Sequence, residues 1–254
     1  MSTITATFDL PHAIPLPVPA ARPWGFWATL GWGLFAAATG LFAAVTCAVI
    51  WTLTHRFRLP DPADAVYGLT AMIAASLAPL AVLAVATRIR HLPLRDYLAL
   101  GPIPRRELAI GICGLAALIA ACAAVAALAG VDDGSRYMDA TYRAAQLAGA
   151  LPLLWAAVVV VAPVGEELLF RGFLHRGWAR SRLGAPGTVV VTSALWATLH
   201  QQYDWAGILV IFLMGLLFGW LRQRGGSTTL TIVLHALNNL VATLILIARL
   251  DWPG

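Results

Sequence analysis

Apolar runs longer than about 18 residues recur along this chain, and no other feature constrains its fold as strongly. A backbone surrounded by hydrocarbon must satisfy its own hydrogen bonds, and a run of that length does so as a membrane-crossing helix. Seven runs are predicted to cross, at 25–53, 66–87, 107–130, 147–175, 186–201, 205–222 and 227–248. The expected fold is all-α, a polytopic transmembrane helix bundle of about seven membrane helices, bounded by six and eight. The fifth run is short and the fourth long, which makes one a candidate for re-entry and the other for projection past the headgroups.

Composition supports this class. Hydrophobic residues make up 60% of the chain and charged residues only 11%, against about 25% charged in soluble domains. A soluble enzyme, a collagen, a coiled coil and a disulfide scaffold are all excluded. All 17 basic residues are Arg, and the formal charge is +5. In a soluble protein this balance would raise nucleic-acid binding, but in a membrane bundle it reads as loop arginine. With seven crossings, 11 Arg fall on one side and 5 on the other, Arg171 being left inside a span. The first side, which holds the N-terminus, is therefore expected to be cytoplasmic, in a bacterial inner (plasma) membrane.

Three regions are expected. Residues 1–24, with Pro11, Pro15, Pro17, Pro19 and Pro23, read as a flexible cytoplasmic tail. Residues 25–130 carry almost no polar groups at depth and read as scaffold helices. Residues 147–248 form the chemically loaded core. Cys47, Cys113 and Cys122 lie in apolar runs without a CxxC spacing and read as packing residues.

An ionised side chain deep in a bilayer costs about 2.5–3.5 kcal/mol on insertion scales, so such residues persist where they pair or do chemistry. Here they are Glu166, Glu167, Arg171, His200, His235, Asn238 and Asn239. At 100° per residue, Glu167 and Arg171 share a helix face while Glu166 points away from it. Arg171 can thus neutralise Glu167, leaving Glu166 to face a cavity as a general base. Pro163 and Gly165, just upstream, are expected to loosen the helix and expose carbonyls to that cavity. His200 follows Trp196 by one turn. His235 and Asn239 are again i,i+4, a spacing suited to oxyanion donation or ligand contact. A rise of about 1.5 Å per residue puts Glu166, His200 and His235 at similar depths.

The ordered motifs Glu166-Glu167-x-x-x-Arg171, Trp196-x-x-x-His200 and His235-x-x-x-Asn239 resemble those of the CAAX prenyl protease type II and bacteriocin-processing (CPBP, or Abi) intramembrane proteases, which include the Ras-converting enzymes. The resemblance covers roughly 147–248 and departs from the family at Trp196, where Phe is usual. It implies that Glu166 activates a water with help from His200, that Glu167 and Arg171 orient the site, and that His235 and Asn239 stabilise the oxyanion. The implied reaction is hydrolysis of a peptide bond in a peptide or membrane-protein substrate within the bilayer, without nucleic acid. Glu166, His200 and His235 could also supply three ligands to one divalent metal such as zinc, with water as the fourth. The sequence has no His-Glu-x-x-His, and a metal-free glutamate-activated water is equally compatible.

Serine and aspartyl intramembrane proteases are excluded by the lack of Gly-x-Ser-Gly and Gly-x-Gly-Asp motifs. A proton-coupled transporter would use the same acids and histidines as a relay, but repeated halves are not evident. A noncatalytic immunity or scaffold protein on the same fold is the remaining alternative.

Overall fold

The computed structural model describes residues 22–251, except 60, 62–63 and 130–135. The expected tail lies outside the described residues up to position 21. The described residues form nine helices and no strand. They are α1 (Phe26–Thr54), α2 (Ala65–Ile89), α3 (Leu94–Tyr97), α4 (Arg105–Ala129), α5 (Arg136–Leu147), α6 (Leu151–Trp178), α7 (Gly184–Thr198), α8 (Trp205–Gly225) and α9 (Thr228–Asp251).

Six helices are long and apolar enough to cross a membrane, namely α1, α2, α4, α6, α8 and α9, and the chain is an integral membrane protein. The expected fifth span, 186–201, corresponds to α7, which has only 15 residues and is not among these six. It nevertheless passes from one end of the bundle to the other. It begins beside the end of α6, and the turn after it places Tyr203 against Tyr137 of α5, with ring centroids 5.9 Å apart. The short amphipathic α5 is an element that a search for apolar runs does not find. Its Asp139 pairs with Arg249 near the end of α9.

Local chemistry sets the helix ends. Asp64 caps α2 by accepting the Tyr67 N–H at 3.0 Å, and Asp204 caps α8 through the Gly207 N–H at 2.8 Å. At the opposite end the Thr228 N–H donates to Ala99 O, tying the α8–α9 turn to the segment after α3.

Burial divides the bundle. The outer surfaces of α1 and α4 expose Leu34, Leu41, Phe42 and Ile112, as lipid-facing helices do. The core gathers around Leu83, Tyr97, Phe173, Trp178, Trp196, Phe218 and Leu230. All three cysteines are free thiols, and Cys113, expected to pack inside, is exposed on α4.

The helix that carries the acids is not regular. Within α6, Ala156–Val161 and Leu168–Leu174 are wound as π-helix, a form concentrated at functional sites. Just between them, Gly165 packs so closely on α2 that a Cβ there would lie 2.6 Å from the Ser76 carbonyl oxygen. Only glycine permits this approach, which seats Glu166 and Glu167 at a set depth against α2.

Candidate active site

The two adjacent acids on α6 enter different surroundings. Glu167 is fully buried, and its Oε1 accepts from Arg171 Nη1 at 2.9 Å and faces His235 Nδ1 at 3.2 Å. The His235 contact requires the proton on Nδ1. Arg171, also fully buried, directs Nη2 to Gly215 O on α8 at 3.4 Å. α8 comes this close to α7 because Gly215 lies against Ser193 with no side chain of its own. Arg171 further places its guanidinium 4.5 Å from the Trp196 ring centroid and 5.8 Å from that of Phe218.

Glu166 lies on the other side of Trp196. Its side chain is 27% exposed, and its Oε2 accepts the Trp196 Nε1 proton at 2.6 Å. His200 Nε2 is 4.0 Å from the same oxygen. His200 Nδ1 lies 2.8 Å from Trp196 O, and because a carbonyl can only accept, Nδ1 carries a proton, which in the neutral ring leaves the lone pair on Nε2. The i,i+4 relation of Trp196 and His200 produces this bond as α7 ends. Trp196, 1% exposed, separates the sets, with His200 and His235 each meeting its ring edge-on at 5.2 Å.

Asn239 occupies a third place. In the π register each N–H reaches back five residues, as Ala162 N–H does to Ala157 O. Pro163, next in line, has no N–H and leaves Val158 O open. Asn239 Nδ2 takes that carbonyl at 2.9 Å, and Asn238 Nδ2 donates to Asn239 Oδ1 at 3.1 Å. The carbonyl expected to open onto a cavity is therefore held by an asparagine on α9. Asn239 keeps one Nδ2 proton beyond this bond.

The site residues read from sequence thus form two groups and a tether. Glu166 and His200 approach each other on the half-open side, Glu167, Arg171 and His235 join on the closed side, and Asn239 binds α6 backbone. Glu166, His200 and His235 do not gather as a three-ligand metal set. Among the described residues, no group of three His, Cys, Asp or Glu could hold a metal ion.

Two participants were not singled out from sequence. Arg222, expected among the loop arginines, is only 5% exposed, and its Nε donates to Arg171 O at 3.0 Å and to Thr228 Oγ1 at 2.9 Å. Tyr203 stacks on His200 with centroids 6.4 Å apart and rings 30° from parallel. Burial pushes the Tyr203 phenol up from 10.0 to about 12, with Tyr137 and Glu166 acting in the same direction. The signal for Tyr203 was faint, an aromatic in a polar turn three residues after His200.

Residues 148–241 match the family model described as type II CAAX prenyl endopeptidase Rce1-like. An Escherichia coli relative, described as an uncharacterized 24.3 kDa protein, is 35% identical over 85 residues, which cover 31% of this chain and 37% of the relative. The chain therefore spans little more than a third of that relative's length. No solved structure matches the chain. All three motifs lie inside the stretch that matches this family model.

Proposed function

We propose that this protein is an intramembrane endopeptidase of the CAAX-protease type, hydrolysing a peptide bond with water activated by Glu166 and His200. The 4.0 Å gap between Glu166 Oε2 and His200 Nε2 carries the reading. That distance is too long for a direct hydrogen bond and suits two bases that share one water oxygen. Trp196 supports the pair from below, aiming its N–H at the carboxylate and its carbonyl at the far nitrogen of the imidazole.

In this mechanism Glu166 takes a proton as the water oxygen bonds to the substrate carbonyl carbon, then delivers it to the departing amine as the C–N bond breaks. His200 orients the water through its Nε2 lone pair. Glu167 and Arg171 hold the helices in register and fix the His235 ring through its Nδ1 proton. His235 Nε2, when protonated, and the second Nδ2 proton of Asn239 are the donors for the developing oxyanion.

The substrate is a membrane-tethered peptide or membrane protein, with a prenylated peptide as the family's own chemistry. The test uses purified protein in bilayers with a panel of membrane-tethered and prenylated peptides. Wild type is expected to cleave at least one, and Glu166→Gln to lose about 10²–10⁴-fold in rate, the range for a general base, with unchanged helicity. Cleavage by Glu166→Gln at the wild-type rate contradicts the mechanism. Proton flux into vesicles with no cleavage would favour a transporter instead.

A further inference from the structure

At the end of the bundle away from Tyr203 lies a cavity of about 450 Å³, lined by Arg22, Pro23, Trp24, Gly25, Gly177 and Arg180. The chain leading into α1 is fastened there. Trp24 Nε1 donates to Ala86 O at 3.0 Å, the Trp24 N–H donates to Tyr97 Oη at 3.2 Å, and Arg90 Nε donates to Arg22 O at 2.8 Å. The Arg90 guanidinium also lies 5.0 Å from the Trp24 ring centroid. Arg176 adjoins the lining residue Gly177 and acts on the same Tyr97 hydroxyl as Arg90, and its Nε is buried without a hydrogen-bond partner. Arg22 and Arg180 line the cavity, and Arg90 and Arg176, next to the lining residues Trp24 and Gly177, complete four guanidinium groups that three segments gather at this end of the bundle. Among the described residues, none of Arg22, Arg90, Arg176 and Arg180 forms an ion pair with a carboxylate.

We infer that this cavity binds the phosphate of an anionic phospholipid headgroup. Concentrated arginine without acidic partners demands a counter-anion, and guanidinium matches phosphate oxygens in geometry as well as charge. Basic pockets between membrane helices at the interface are places where anionic headgroups bind. The cavity is large enough for a headgroup, and tryptophan in its wall is the residue expected at headgroup depth. A lipid is favoured over a free phosphate ion because α1 departs from the cavity wall with Trp27, Leu34 and Leu41 exposed along one face, two turns apart. Acyl chains can lie along that face while the phosphate stays among the arginines. The proposal is independent of the proteolytic reading, since no residue of the candidate active site lines this cavity.

The test is native mass spectrometry of the full chain released from bilayers of equimolar phosphatidylglycerol and phosphatidylcholine. Wild type is expected to retain phosphatidylglycerol selectively. Arg22→Ala/Arg180→Ala is expected to weaken that retention about 30-fold, the loss anticipated for two interfacial arginines. Both side chains reach the surface, and an unchanged thermal midpoint confirms folding. The control Arg58→Ala/Arg143→Ala, at the opposite end, is expected to retain lipid as wild type does. Equal retention by the cavity variant, or equal retention of phosphatidylcholine, overturns the proposal. Full displacement by inorganic phosphate also overturns it, by assigning the cavity to a free anion.

Discussion

The two sides of α6 differ more than the sequence Glu166-Glu167 leads one to expect. On one side Glu167 is sealed, with a guanidinium and an imidazole on the same oxygen. On the other, Glu166 keeps one donor and partial exposure, with a second imidazole just out of reach. Burying a charge is tolerable only when it is paired, whereas a base must remain accessible to the proton it takes. The bundle meets both demands with consecutive residues by turning them about 100° apart and setting the Trp196 ring between the two groups.

Predictions that sharpen this contrast follow in order of size after the loss expected for Glu166→Gln. Arg171→Met leaves Glu167 buried with only His235 beside it, and unfolding in detergent micelles should show a loss of about 3–5 kcal/mol. Stability close to wild type would mean that the sealed side is not what holds the bundle. Gly165→Ala drives a methyl group against the Ser76 carbonyl and should cost about 1–3 kcal/mol by overpacking. Its cleavage rate should fall as well, because the acids ride on the displaced segment.

Trp196→Phe keeps the ring between the two sides but removes the donor to Glu166. It should keep cleavage within about tenfold of wild type, since the backbone carbonyl that orients His200 survives. The smallest effect concerns Tyr203. Its phenol ionises at about 12 in the fold against 10.0 normally, so above pH 10 the unfolded chain binds fewer protons and stability falls as pH rises. Tyr203→Phe should flatten that decline in alkaline unfolding curves and leave stability near neutral pH unaltered.

The fold class was legible because apolar runs of membrane length admit few alternatives. The Glu167–Arg171 pair was legible because i,i+4 on a helix is a local fact, and it survives although the bonded pair sits at the start of a π segment. What escaped were contacts between distant segments. His235 pairs with Glu167, and Arg222 turns inward to the Arg171 carbonyl. Asn239 reaches Val158 only because the π register aligns that carbonyl with the missing N–H of Pro163, a coincidence of winding that residue spacing does not encode. Helix α5 escaped for a different reason. It is amphipathic rather than apolar, so membrane length is no guide to it.

The division of labour between the adjacent acids is tested most directly by single-turnover cleavage and thermal unfolding of Glu166→Gln and Glu167→Gln side by side in one bilayer composition. The account predicts that Glu166→Gln unfolds as wild type does and has lost the chemical step. Glu167→Gln should unfold at a lower temperature yet cleave faster than Glu166→Gln wherever it remains folded. The reverse pattern, with chemistry lost at Glu167 under unchanged stability and retained at Glu166, would contradict it.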